Sequence, residues 1–304
     1  MTDSSSSTAH GQRVVVIVNP VTKGNVERIV RQLRIAAPKG VELDIHWTEH
    51  AEHGGALAYS LRNEAAIMVA VGGDGTVAEI AAAIRGTDTL LGIIPGGSTN
   101  IIARELGIPV HADRAIALLF REHTVRTLDV GLCGARAFLH MAGAGFDSEL
   151  LDLTSSDLKR KVGWMAYLPA AVAALRTLPV RYTIRTPDTE INVVSPLVLI
   201  ANGGSIIHPR FRLHSGIRKD DGLLDVLVIT ATTPVELARV LGRLATMNLE
   251  RSPYLIHLKT TEVSVSATIT VPVELDGDVV TQTPATFVID PAAIHVITPV
   301  EVPS

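Results

Sequence analysis

One stretch constrains this chain more than any other: residues 65–82, AAIMVAVGGDGTVAEIAA. An apolar run over 65–71 stops at Gly72-Gly73-Asp74-Gly75-Thr76, and a helix-period pattern starts at once, which reads as strand, turn and helix. The glycines allow positive φ and the close approach of a bulky ligand. The helix behind them offers free N–H groups and a partial positive charge to a phosphate. Asp74 would repel a phosphate unless a cation lies between them, and a divalent metal carried by a nucleotide supplies one. The same letters also spell an ordinary βα turn in which Asp74 caps the helix.

Two further turns repeat the theme. Residues 90–94 form a short apolar run that ends in Pro95-Gly96-Gly97-Ser98-Thr99-Asn100, before a helical segment at 101–106 closed by Gly107 and Pro109. Residues 14–18 end in Asn19-Pro20-Val21-Thr22-Lys23-Gly24. In an open parallel sheet all three turns would gather at the carboxyl ends of the strands, where such sheets bind ligands.

Taken in order, 13–19 and 41–47 read as strands, and 25–37, 52–61 and 111–121 as helices, with the glycine turns between them. This alternation predicts an α/β domain built on a doubly wound parallel sheet. From about residue 127 the rhythm changes to β-like runs at 126–130, 136–141, 181–185, 191–201, 223–230, 254–259 and 262–271, which predict a mainly antiparallel β-sandwich. Two helices, at 147–178 and 234–247, interrupt it. The expected domains are 13–126 for nucleotide and 127–290 for substrate, preceded by a disordered, Ser-rich tail at 1–12.

Composition narrows the class without choosing a reaction. With 304 residues, 47% of them hydrophobic, the chain can bury a large core. A net charge of −4 argues against a general nucleic-acid binder. The single cysteine, Cys133, excludes an internal disulfide and fits a reducing, cytoplasmic compartment. No apolar run reaches the roughly 18 residues that suggest a transmembrane helix.

The ordered set NPVTKG, VAVGGDGTVAEI, IIPGGSTNIIARELGIP and DDGLLDV resembles the diacylglycerol kinase catalytic family, which includes bacterial lipid kinases and the sphingosine and ceramide kinases. The resemblance runs from about residue 13 to 298. The GGDGT element alone is shared with NAD kinases and phosphofructokinase-like proteins; the combination is what points to lipid.

That resemblance implies transfer of the γ-phosphate of ATP, with Mg2+, to a lipid hydroxyl, diacylglycerol first among the candidates. Gly72, Gly73, Gly75 and Thr76 would surround the phosphates. Asn19, Pro20, Lys23, Thr48, Glu79, Gly97, Ser98 and Asn100 would lie near the nucleotide, and Asp74 would orient the metal. Late in the chain VELDGDVV sets Asp276 and Asp278 around Gly277. Asp-Gly is a common hairpin signal. The family has Asp-Gly-Glu there, with the acid after the glycine taking the proton from the acceptor, so the role lies between Asp278 and Asp276. In Asp220-Asp221-Gly222 the family holds a structural magnesium, which would map to the carboxylate of Asp221 and the carbonyls of Arg218 and Leu223. The family also brings the last strand, near 287–297, back to the first domain, so 291–304 would be a returning segment.

Two departures stand out. Ile101 replaces an aspartate that joins the metal network in some members, and Leu213-His214-Ser215 replaces a proline-centred segment. An NAD kinase would follow the second glycine loop with Asn-Glu, whereas Asn100 precedes Ile101. A kinase of another lipid and a non-catalytic binding module remain as alternatives, and the sequence leaves a homodimer open.

How the protein reaches lipid has one candidate. Residues 157–180 open with Lys159, Arg160 and Lys161 and continue through Trp164 and Tyr167, a composition suited to a peripheral position at the inner membrane face. Packing of the apolar residues on the second domain explains the pattern equally well.

Overall fold

The computed structural model describes residues 13–22, 25–145, 179–206 and 212–300. The expected tail at 1–12, Lys23, the helix at 147–178 and the basic-aromatic part of 157–180, up to residue 178, lie outside the described residues. Among those described, no helix is long and apolar enough to cross a membrane. The chain forms two compact units, Met1–Leu128 with Ala292–Ser304, and Asp129–Pro291.

In the first unit β1 (Arg13–Val18) pairs in parallel with β2 (Glu42–Trp47) on one side and with β3 (Ile67–Gly72) on the other. Strand β4 (Leu90–Pro95) follows β3, and the last residues of β16 (Ala285–Thr298) run parallel to β4 through His295↔Leu90. The order β2-β1-β3-β4-β16 reverses direction between β1 and β3. Val14 to Val18 are all fully buried, the mark of a strand covered on both faces. Val14, Val16 and Val18 meet Ile29, Val30 and Leu33 of α1 (Val26–Ala36) and Ala115, Ile116 and Leu119 of α5 (Ala112–Phe120). The opposite face receives α2 (His53–Leu61), with Gly54 against Ile17, and α3 (Asp74–Ile84), which packs on α2. Complete burial of Leu33 or Ile80 stabilises the unit by about 2 kcal/mol each. A short helix, α4 (Ile101–Glu105), follows the β4 turn.

The second unit is a sandwich of antiparallel strands. One sheet has the order β12-β11-β10-β7-β14-β15, built from β7 (Met141–Ala144), β10 (Leu197–Ala201), β11 (Leu224–Ile229), β12 (Leu255–Thr260), β14 (Pro272–Leu275) and β15 (Asp278–Gln282). Against it lie β8 (Val180–Arg185), β9 (Glu190–Ser195), β13 (Glu262–Ala267) and the first part of β16, while β5 (Thr124–Cys133) pairs with β6 (Arg136–Phe138). Phe138, Tyr182, Phe287, Ile200 and Val226 fill the space between, and the rings of Phe138 and Phe287 meet edge to face at 6.3 Å.

The structure breaks three runs that the sequence suggests are continuous. Residues 191–201 divide at Pro196, which has no N–H for a ladder, and the chain passes there from β9 in one sheet to β10 in the other. Ser195 secures that corner with Oγ donating towards Leu197 O and Ile229 O, at 2.7 Å each. Residues 136–141 divide in the same way between β6 and β7, and 262–271 ends as a strand at Ala267. Helix α6 (Pro234–Ala245) covers the outer face of the six-stranded sheet, with Val240 and Leu237 packed near Leu199 and Leu227. Its start is a capping box: Thr233 Oγ1 accepts Glu236 N–H, and the Glu236 carboxylate accepts the N–H groups of Thr232 and Thr233.

Candidate nucleotide site and acceptor hairpin

Four strand ends meet at the carboxyl edge of the parallel sheet. Thr48 N–H donates to Val18 O at 2.9 Å, Asn19 N–H to Val71 O at 3.0 Å, and Gly96 N–H to Gly72 O at 2.7 Å. This edge flanks the β1/β3 reversal, where open α/β sheets bind ligands. Asn19 joins two turns: its Oδ1 accepts Val21 N–H, and its Nδ2 donates to Thr76 Oγ1 at 3.1 Å. Pro20 beside it is exposed.

The two glycine turns touch backbone to backbone. A Cβ on Gly97 would lie 2.7 Å from Gly73 Cα, so no other residue fits there without displacing the pair. Asn100, at φ 49°, grips the second turn by accepting Gly97 N–H and donating to Gly97 O. That amide shapes the loop and is not left for a ligand. Gly75 is exposed with nothing within 4 Å of its Cβ position, and Ser98 is exposed on the facing turn.

Helix α3 starts at Asp74 with Gly73 as its cap residue and no side-chain cap. Its first N–H groups therefore have no side-chain cap, as an anion site at a helix start requires. The Asp74 carboxylate serves a different helix: Oδ1 accepts Ile102 N–H of α4 at 3.1 Å. Among the described residues Oδ2 has no hydrogen-bond partner and could act as a single hard oxygen ligand, which fits magnesium's habit of taking one or two carboxylates beside phosphate oxygens and water. Glu79 is committed elsewhere, since its oxygens accept Glu52 N–H and Gly55 N–H and so cap α2 from another helix.

In the second unit β14 and β15 form a hairpin whose turn residues, Asp276 (φ 50°) and Gly277 (φ 104°), both have positive φ. The two carboxylates differ sharply. Asp276 Oδ1 accepts His140 N–H and Met141 N–H, and Oδ2 accepts Leu139 N–H, all at 2.8–2.9 Å. It thereby satisfies the corner where the chain crosses from β6 to β7. Asp278 is exposed at the start of β15. Buried Asn202 supports the same corner, donating from Nδ2 to Asp129 O and Leu139 O at 3.0 Å.

Glu274, two residues before Asp276, was not legible as special. It projects opposite Gly143, and its Oε2 is buried without a hydrogen-bond partner among the described residues. Burial first, then the charges of Asp276 and Asp278, push its carboxyl up to about 7. Between its ordinary value of 4.5 and about 7 the folded protein therefore holds a proton that the unfolded chain releases, so stability falls as pH rises through that window. Glu274→Gln is expected to stabilise the protein by up to about 3 kcal/mol at pH 8 and to change little near pH 4.5. Urea unfolding at both pH values checks this, and equal gains at the two would place the effect in packing.

The turn that the sequence assigns to a structural metal is organised by protein groups. Asp221 Oδ1 accepts Leu223 N–H at 3.2 Å, and Oδ2 pairs with Lys259 Nζ at 2.5 Å. Gly222 N–H donates to Asp129 Oδ2, and Arg218 pairs with Asp220. Among the described residues no group of three or more His, Cys, Asp or Glu is placed to hold a metal. An ammonium against Asp221 does not fit a divalent cation on the same oxygen, so the expected set of Arg218, Asp221 and Leu223 does not suit a structural magnesium as arranged.

Comparison with known proteins bears on the family and the fold. Residues 13–133 match the diacylglycerol kinase catalytic domain, and residues 141–298 match the YegS C-terminal NAD kinase beta sandwich-like domain. A protein of Pseudomonas aeruginosa strain UCBPP-PA14 named "Probable lipid kinase YegS-like" is 30% identical, over 94% of each chain. Two solved structures from Bacillus anthracis str. Sterne, one of them described as a diacylglycerol kinase, align with TM-scores of 0.79 and 0.71 at 22% and 19% identity. Each alignment covers 94% of this chain and 97% of the other, and shows the shared fold.

Proposed function

The chain belongs to the lipid kinases that join a diacylglycerol kinase catalytic domain to a YegS-type C-terminal domain, and on that premise we propose that it phosphorylates diacylglycerol. Membership makes it a phosphotransferase that uses ATP and an alcohol acceptor. The acceptor rests on the family alone, and one observation carries the kinase reading: two glycine turns in backbone contact flank the start of α3, which has no side-chain cap, with Asp74 beside it.

The backbone N–H groups at Gly75 and Thr76 receive phosphate oxygens, and Asn19 fixes the Thr76 hydroxyl beside them. Asp74 would hold the magnesium that accompanies ATP, and that ion would supply neutralisation of the charge developing on the phosphate. Asp74 holds its orientation by the bond to Ile102 N–H while presenting Oδ2. The lipid hydroxyl oxygen attacks the γ-phosphorus, the bond to the β–γ bridging oxygen breaks, ADP leaves, and the hydroxyl proton passes to Asp278. Asp276 is unsuited to that role because its oxygens are taken by three N–H donors. An exposed carboxylate is a weak base, so rate comes mainly from positioning and charge.

Labelled ATP supplied with diacylglycerol, monoacylglycerol, sphingosine, ceramide and NAD in parallel tests the assignment. Label is expected in phosphatidic acid. Label in another lipid product moves the acceptor, and label in NADP alone overturns the lipid reading.

A further inference from the structure

Helix α6 breaks two local rules on one stripe. Arg239 and Arg243 stand four residues apart, a like-charge spacing that destabilises a helix, and Gly242 sits between them at a cost of about 1 kcal/mol relative to Ala. Local violations that coincide mark a site with another task. The Cβ position of Gly242 meets nothing within 4 Å. It faces a pocket of about 380 Å³, lined also by Arg239, Arg243, Thr246, Ser252, Pro253 and Tyr254. A side chain at Gly242 would enter that space.

The polar groups there are mainly donors. Arg239 Nη1 donates to Tyr254 Oη at 3.1 Å, which orients the guanidinium and leaves the phenol proton free to turn inward. Buried Ser252 accepts Tyr254 N–H on Oγ and keeps its own proton to give. Thr246 spends its hydroxyl proton on Gly242 O and adds no donor. Among the described residues no carboxylate lines the pocket. The acids nearest in sequence spend their oxygens on backbone, Glu236 on the N–H groups of Thr232 and Thr233 and Glu250 on Ser215 N–H, while the Glu236 charge still acts on Arg239. Two guanidiniums with two hydroxyls complement a phosphate group, and the pocket has room for more than a bare phosphate. Along the same helix Val235 is 62% exposed, and just past its end Met247 is 58% exposed, apolar groups left to solvent beside the basic stripe.

We propose that this pocket holds the phosphate of an anionic lipid headgroup and lays α6 against a membrane surface, as a site separate from the one where phosphoryl transfer takes place. The test is co-sedimentation with phosphatidylcholine vesicles, with and without phosphatidylglycerol, at low salt. Wild type is expected to bind the anionic vesicles alone. Arg239→Gln with Arg243→Gln is expected to weaken that binding by about thirtyfold, from roughly 1 kcal/mol for each basic residue at an anionic surface. Gly242→Leu keeps both charges, favours the helix and fills the pocket; it should lose most of the binding while melting no lower than wild type.

Turnover of detergent-dispersed diacylglycerol should be unchanged in both variants, so a loss of vesicle binding is distinguishable from a failure of the kinase assignment. Wild-type failure to bind anionic vesicles overturns the proposal, as does Gly242→Leu binding equal to wild type, which would mean unspecific charge. Protection from melting by glycerol phosphate without vesicle binding overturns the lipid source.

Discussion

Asp74→Asn is expected to lower turnover by about 10³-fold or more, the scale on which loss of one charge-stabilising group acts in phosphoryl transfer, while the protein melts near the wild-type temperature. The two halves of this expectation come from the two oxygens. Asparagine keeps an acceptor for Ile102 N–H, so α4 retains its tie to the start of α3. It loses the negative charge that a magnesium ion would require. Asp74→Ala removes both, and should add about 1 kcal/mol of destabilisation, the usual scale of a lost helix cap. Activity measured beside thermal melting for the pair separates the roles. Near-normal turnover in Asp74→Asn would sink the metal-orienting assignment.

The first unit was legible because its signals are local. Parallel strands buried on both faces appear as unbroken apolar runs, and Gly72-Gly73 and Gly96-Gly97 mark their ends. The glycine turns were readable as a pair, but not the contact of Gly73 with Gly97, which depends on β3 and β4 lying in register. Polar residues near the turns were harder to sort. Glu79 and Asn100 look like nucleotide ligands in the sequence, yet one caps α2 and the other closes its own loop, because nearby backbone N–H groups compete for the same side chains.

The second unit was legible as class, from strands of alternating pattern, and illegible in detail. Pro196 lies inside a run that looks continuous, and only the pairing of β9 with β8 and of β10 with β11 shows the change of sheet. Asp276 meets Leu139 across 137 residues of chain, and Lys259 meets Asp221 across 38. No spacing rule reaches that far. The orphaned oxygen of Glu274 has the same origin, since Val273, Glu274 and Leu275 simply alternate and the burial over Gly143 comes from a different strand.

The hairpin gives the other large effect. Asp278→Asn is expected to lower turnover by roughly 10²–10⁴-fold, the range for loss of a general base, with ATP affinity and melting temperature nearly unchanged because the side chain is exposed. Asp276→Asn should invert that pattern. An amide can offer its oxygen to His140 and Met141, but its NH2 then faces Leu139 N–H, leaving a donor unpaired at the β6–β7 corner. The cost is about 1–3 kcal/mol of stability, with a smaller loss of turnover at temperatures where the protein stays folded. Single-turnover phosphorylation and urea unfolding of both variants make the comparison. If Asp276→Asn loses more turnover than Asp278→Asn while remaining as stable as wild type, the proton acceptor is Asp276 and its three N–H bonds must open during the reaction.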